Sequence, residues 1–226
     1  DGRAQLSVGT FSHGQGHETA FAQIVHSRLG IPFESVDLVQ GDSLVIEMGG
    51  GTGGSRSSQM GGVATLRASD AVLAKARRIA AHLLDETVSY TRDTECNFPT
   101  GCHVAEVEID PETGVLEVVR YAAVDDVGNV INPMLVHGQS HGGIAQGLGQ
   151  AVLENAVYDR ESGQFMAASF MDYAMPRASD LPDLAIGFNI VPTPVNELGV
   201  KGAGEGGAGG APPAIISAAC DALGVS

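Results

Sequence analysis

The chain predicts an α+β fold in two domains, and three observations predict it. Strand-like and helix-like segments alternate, but without the strict strand–helix–strand period of a parallel sheet. The second half opens with two alternating strands around the turn Asp110-Pro-Glu-Thr-Gly114, the pattern of a hairpin. A polar, irregular stretch over residues 86–100 separates the halves and sets domains at 1–95 and 96–226. With 226 residues, 43% of them hydrophobic, both parts can bury a core.

Taken in order, residues 4–10 read as a strand and Phe11-Ser-His-Gly-Gln-Gly-His17 as a tight loop. Residues 18–29 read as a helix, because Phe21, Ile24, Val25 and Leu29 recur at helical spacing. A Gly-Ile-Pro turn leads to a second strand over 35–40. Residues 48–57 form a glycine loop, and a long helix is expected over about 58–86, through Ala71, Leu73, Ala76, Ile79, Leu83 and Leu84. In the second half, strands 102–109 and 115–125 flank the turn. Asn132 caps and Pro133 starts a helix running to about 155, since Asn accepts from the first turn and Pro suits it. Strands are expected at 164–173 and 184–191, and a last helix at 210–223.

Composition excludes several function classes. A net charge of −15 argues against nucleic acid or an anionic membrane as partner. No apolar run approaches a membrane span and no signal peptide is read, so a cytoplasmic protein is expected. The chain opens on Asp1 instead of Met, as expected of a fragment, a processed subunit or a chain whose start is missing. Cys96, Cys102 and Cys220 are too few for an iron–sulfur cluster and lack the paired spacing of a zinc site. His13/His17 and His137/His141 are each four apart, but no third ligand follows at matching spacing. No metal held by protein ligands is expected.

The stretch from Asn196 to Pro213 carries the sharpest chemical signal. One carboxylate, Glu205, stands among glycines, after Lys201, Gly202 and Gly204 and before an apolar helical run. Glycines ahead of a helix let backbone N–H groups approach an anion. A carboxylate there serves no anion and is suited to taking a proton. A solvated glycine loop explains the same residues without chemistry. The spelling Gly202-x-Gly204-x-x-Gly207 also fits a dinucleotide fingerprint, but no apolar strand precedes it and no second strand follows.

Two further motifs concern ligands. His13-Gly-Gln15-Gly-His17 recurs as His137-Gly-Gln139-Ser-His141, each copy at a helix start. A glutamine side chain donates and accepts, which suits a heterocycle edge; chance and a shared use of glycine at helix starts would also give the echo. Thr52-Gly-Gly-Ser-Arg-Ser57 sets three hydroxyls and a guanidinium before a helix, good chemistry for a phosphate but without the ending of a P-loop. An ordinary helix cap by Ser55 or Ser57 is the plainer account.

Six segments together resemble the large, molybdenum-cofactor-binding subunit of the xanthine dehydrogenase/aldehyde oxidase family. They are Gly14-Gln-Gly-His-Glu-Thr19, Gly51-Thr-Gly-Gly-Ser-Arg-Ser57, Phe98 to Gly114, Gly138 to Gln150, Ser169-Phe-Met-Asp-Tyr-Ala-Met-Pro176 and Gly199-Val-Lys-Gly-Ala-Gly-Glu205. They occur in the family's order and span nearly the whole chain. The resemblance covers only the family's C-terminal half, and residues 86–98 look shorter than in relatives.

The resemblance implies oxidative hydroxylation of an aldehyde or N-heterocycle, a small-molecule substrate, with water as oxygen source. It implies a molybdenum–molybdopterin cofactor held by pterin sulfurs instead of protein ligands, in the cytosine dinucleotide form usual in bacteria. Glu205 would be the general base that activates the hydroxyl nucleophile. Gln15 and Gln139 would hydrogen-bond the pterin, beside Gly14, Gly16 and Gly138. Thr52, Gly54, Ser55, Arg56 and Ser57 would hold the pyrophosphate and nucleotide. Lys201, Gly202 and Gly204 would shape the loop that presents Glu205. Iron–sulfur clusters and FAD are expected on partner subunits, and the N-terminal half on the same or another polypeptide. A carbon monoxide dehydrogenase-like large subunit, or a non-catalytic pterin-binding subunit, is the alternative.

Overall fold

The structure, a computed structural model, describes residues 2–79 and 96–225. It divides into two compact units that interleave in sequence. The first holds residues up to Phe98 together with Val127–Leu135 and Ile190–Gly202; the second holds Pro99–Asp126, Val136–Asn189 and the segment from Ala203.

In the first unit, β1 (Ala4–Ser7) and β2 (Val36–Val39) pair in parallel, Leu6 opposite Leu38. Parallel neighbours need a crossover, which α1 (His17–Leu29) supplies. β1 is shorter than the expected 4–10. The chain leaves the ladder because Gly9 runs against Gly49 backbone to backbone: a Cβ on Gly9 would lie 3.0 Å from the Gly49 Cα. A π-helical turn, Ser58–Gly62, leads into α2 (Val63–Ile79). The remainder of the expected long helix lies outside the described residues. Buried Thr65 and Ser69 sit mid-helix without cost because their hydroxyls donate to the carbonyls of Gly61 and Thr65, at 2.7 and 2.8 Å. Val8, Phe21, Ile24 and Leu66 form the core, joined by Leu6, Leu38, Ile131 and Leu198. The two late segments belong here through that packing and through backbone bonds such as Asn129 N–H to Gly199 O, 2.9 Å, and Lys201 N–H to Val127 O, 2.8 Å.

The second unit is a three-stranded sheet with two helices. β3 (Thr100–Ile109) and β4 (Leu116–Asp126) form the expected hairpin, and β5 (Leu184–Phe188) adds in parallel to β4. α3 (Pro133–Leu148), extended by a π turn at Gly149–Leu153, ends close to the expected 155; it enters this unit at Val136. α4 (Gly206–Leu223) closes the chain. Val118, Tyr121, Ala123, Ile144, Leu148, Ala211 and Ile215 form the core.

Two expectations are corrected here. Residues 164–173 are not a strand; only an isolated bridge joins Phe165 to Tyr158. Ser169 captures the chain in a turn: its carbonyl accepts from Asp172 and Tyr173 N–H, and its hydroxyl accepts from Met171 N–H while donating to Asp172. The last helix starts at Gly206, not 210, so four residues expected in a glycine loop are helical.

Candidate functional site

Two glycine loops meet in the first unit. Thr52 ties them: its hydroxyl donates to Phe11 O at 2.6 Å and accepts Phe11 N–H at 3.2 Å. Gly51, Gly54 and Ser55 all have positive φ, at 62°, 60° and 52°. Only glycine adopts that conformation cheaply, so Ser55 is held there by its surroundings. Gly202 is part of the reason. A Cβ on Gly202 would lie 2.7 Å from the Ser55 Cβ and 3.1 Å from its carbonyl oxygen. Arg56 folds back so that its guanidinium donates to Gly50 O at 2.6 Å, and Ser57 donates to the Thr52 hydroxyl at 3.3 Å. Sequence expectations for Thr52, Gly54, Ser55, Arg56, Ser57 and Gly202 thus fall on one loop cluster. Neither Ser57 nor any other side chain caps the π turn.

The loop before α1 is built differently. Gly14 and Gly16 have φ of 118° and 71°, and Gly16 is the N-cap of α1, its carbonyl accepting from Thr19 and Ala20 N–H. Gln15 is turned onto its own loop: its carbonyl oxygen accepts His13 N–H at 2.6 Å and its amide lies 3.1 Å from the His13 ring. His17 is buried against Phe21, ring centroids 4.9 Å apart. The Gln40 amide is oriented because its oxygen accepts Ser12 N–H at 3.1 Å; its nitrogen therefore donates to His17 Nδ1, also at 3.1 Å. The ring proton then sits on Nε2, a buried atom without a partner among the described residues. Burial is the main cause that lowers the His17 pKa; Glu18 opposes it and His13 adds to it.

The second unit holds the other copy of the glutamine motif and the carboxylate. Gly138 and Gln139 lie inside α3, so this copy is helical where the first is a loop. Glu205 is the exposed N-cap of α4, and its carbonyl accepts Gly209 N–H at 3.0 Å. The helices touch one residue after Gln139 and two after Glu205. A Cβ on Gly207 would lie 2.6 Å from the Ile144 nitrogen and 2.8 Å from the Ser140 oxygen. Gly204, half-buried, precedes Glu205 in this unit, whereas Lys201 and Gly202 close the last segment of the first.

One polar group was not expected from sequence. His103 places Nε2 3.0 Å from Asp125 Oδ1 and Nδ1 2.7 Å from the Tyr121 hydroxyl. In the hairpin register 103 pairs with 123, and 121 and 125 lie diagonally on the same face; a bulge between Glu106 and Val107 sets that register, so counting back from the turn does not find the group. Among the described residues, no three His, Cys, Asp or Glu gather as a metal site, and no helix is long and apolar enough to cross a membrane.

The domain family described as "molybdopterin cofactor-binding domain" matches residues 1–91 and 84–182. The chain belongs to that family. It is 33% identical to the carbon monoxide dehydrogenase large chain of Afipia carboxidovorans over 95% of this chain and 32% of that one. It is 31% identical to the nicotine 6-hydroxylase large subunit of Paenarthrobacter nicotinovorans over 98% and 33%. Among solved structures, reconstituted CO dehydrogenase from Oligotropha carboxidovorans superimposes with a TM-score of 0.88, 31% identity, and coverage of 96% of this chain and 33% of that one. Quinoline 2-oxidoreductase from Pseudomonas putida 86 gives 0.85 at 31% identity, covering 97% and 34%. The chain therefore spans about a third of the length of the relatives it matches.

The first-unit loop cluster carries donor types that suit an anionic group. Hydroxyls of Thr52 and Ser57 and the Arg56 guanidinium stand on a loop with positive φ at 51, 54 and 55; in this structure they bond within the loops, as does Gly51 N–H to Gly9 O at 3.2 Å.

Proposed function

We propose that this chain is the cofactor-binding part of a molybdenum hydroxylase that oxidatively hydroxylates an aldehyde or N-heterocycle with oxygen from water. The observation that carries the reading is Glu205 at the start of α4. It is exposed, it stands at the N-cap position of a helix whose start packs on α3, and Gln139 is next in sequence to the Ser140 of that crossing. A base fixed in this way loses little entropy at each proton transfer. When bound, the molybdenum–pterin group supplies the two-electron oxidation. The chain's own residues do the rest. Gln15 and Gln139 hydrogen-bond the pterin, beside Gly14, Gly16 and Gly138. Thr52, Gly54, Ser55, Arg56 and Ser57 hold the pyrophosphate and a cytosine nucleotide. Lys201, Gly202 and Gly204 shape the approach, and the Glu205 carboxylate takes the proton. Iron–sulfur and flavin subunits, and the remainder of the large subunit, complete the enzyme.

Glu205→Gln keeps the shape of the side chain and removes the base. It is expected to leave molybdenum content unchanged and to lower turnover by at least about 10²-fold. Near-normal turnover in a fully loaded variant sinks the role. Arg56→Ala combined with Ser57→Ala is expected to lower nucleotide and molybdenum content, because charge-assisted contacts to phosphate are lost. Wild-type content in that double variant would mean the loop only caps a helix. Carbon monoxide oxidation is a second reading, favoured by the 33% identity with a carbon monoxide dehydrogenase large chain. Assay of the complete enzyme on carbon monoxide beside a panel of aldehydes and N-heterocycles decides between them.

A further inference from the structure

We propose that the buried group His103–Tyr121–Asp125 positions the first turn of α4, and through it the Glu205 carboxylate. The inference rests on the reading of Glu205 as the base. All three residues stand on one face of the β3–β4 hairpin. The His103 and Asp125 side chains are 7% and 8% exposed, and Tyr121 is 2% exposed. Burial, then the nearby Asp125, push the Tyr121 pKa far above its ordinary value, so the phenol keeps its proton. The Asp125 carboxylate only accepts, so the His103 ring donates to it from Nε2, and Nδ1 is left to accept from the Tyr121 hydroxyl. Held at both nitrogens, the imidazole has one orientation.

That fixed ring is the wall against which α4 starts. A Cβ on Gly210 would lie 2.8 Å from three atoms of the His103 ring. Gly101 leaves the room that the Asp125 carboxylate fills, since a Cβ there would collide with Oδ1. Gly210 lies five residues after Glu205, and Gly207 between them presses on α3. The first turn of α4 is thus located by two contacts, one to the α3 backbone and one to a side chain whose orientation depends on two hydrogen bonds. Glycines at 206, 207, 209 and 210 give this turn little helix propensity of its own, so its position depends on those contacts. His103, Tyr121 and Asp125 are positioning residues; they need touch neither substrate nor cofactor.

The test uses the complete, cofactor-loaded enzyme. His103→Phe keeps the ring volume and removes both hydrogen bonds; His103→Gln keeps an amide that can still donate to Asp125. We expect His103→Phe to lower kcat by about 10-fold to 10²-fold with KM within about twofold of wild type, the result of misplacing a base without altering substrate affinity. Amide exchange at residues 209–211, the first α4 amides with a helix acceptor, should accelerate by about 10-fold while residues 215–223 stay protected. His103→Gln should recover most of both. Tyr121→Phe, which removes one hydroxyl only, should move both readouts in the same direction by less, and it decides the matter if His103→Phe fails to fold. Unchanged exchange at 209–211 overturns the proposal. So does acceleration spread evenly over α4 and the sheet, which means a role in folding alone, or faster exchange at 209–211 with unaltered kcat. A wild-type enzyme without hydroxylase activity overturns the reading of Glu205 instead, while the exchange readout still judges the contact.

Discussion

The glycines of the first unit's loops and those of the second unit's helices differ in what they are for. Gly14, Gly16, Gly51 and Gly54 have φ between 60° and 118°, and an added Cβ on Gly14, Gly51 or Gly54 would meet nothing within 4 Å. Their use is backbone conformation; Gly16 also serves close approach, since an added Cβ would lie 2.5 Å from Leu135 Cδ2. Gly143, Gly147, Gly207 and Gly210 have ordinary helical backbone, and an added Cβ would lie at 2.6–3.0 Å from neighbouring atoms. Their use is close approach. The same residue type therefore marks a left-handed loop in one unit and a helix crossing in the other. Gly202 belongs with the second kind although it lies in the first unit, because what it accommodates is Ser55.

The largest expected effect breaks the helix crossing. Gly207→Ala sets a methyl against the Ile144 nitrogen, the Ser140 oxygen and the Gly143 carbonyl carbon, all backbone atoms that cannot rotate away. A loss of about 1–3 kcal/mol is expected, as for overpacking of a dense core. A urea midpoint equal to wild type would show that α4 shifts freely and that the crossing fixes nothing.

A smaller effect tests the loops. Gly54→Ala has space for its methyl, so its cost is conformational, about 1–2 kcal/mol for an L-residue at φ 60°. Gly54→Asn should recover part of it, since Asn tolerates the left-handed region. The same exchange at position 207 should be worse than alanine. If asparagine ranks above alanine at both positions, the distinction between conformation and close approach fails.

The comparison also explains what was legible beforehand. Hydrophobic spacing located α1 to one residue and the β3–β4 hairpin nearly as well, because both bury one face and show it in their periodicity. Glycine clusters were seen but their two uses were not. Residues 206–209 contain no apolar periodicity; Gly207 packs on the α3 backbone and Gly210 on the His103 ring, contacts that hydrophobic spacing does not announce. The His103 group was hidden by a bulge. Counting back from the turn, Ile109 faces Leu116 and Val107 faces Val118, which would set residue 103 opposite 122. The register shifts between Glu106 and Val107, so 103 faces 123, and Tyr121 and Asp125 come onto its side of the sheet. Met166, Phe170 and Met171 looked like strand residues by composition, yet all three are exposed and the Ser169 turn decides their backbone.

The smallest expected effect concerns pH and lies in the first unit alone. His17 is buried with its pKa lowered, by burial first, with Glu18 opposing and His13 reinforcing. Above the ordinary histidine value of about 6.5 both folded and unfolded chains hold this ring neutral, and it contributes no pH dependence. Below that value the unfolded chain takes up a proton that the native state refuses, so the unfolded state binds more protons and stability falls with falling pH. The loss continues until the pH reaches the lowered native value, where protonation of the folded ring would force a charge beside Phe21 and against the Gln40 amide that donates to Nδ1. Amide exchange in α1, read relative to exchange in the sheet of the second unit, should therefore accelerate as pH is lowered from about 7.5 to about 5.5, after correction for intrinsic exchange rates. His17→Gln should remove that acceleration whatever it does to the absolute rate. Glu18→Gln should extend it to lower pH, because the one neighbour that raises the His17 pKa is gone. A corrected exchange rate in α1 that does not depend on pH in the wild-type chain would mean that His17 titrates like a solvated histidine, and that the buried ring between the two glycine loops opens to water far more readily than its packing implies.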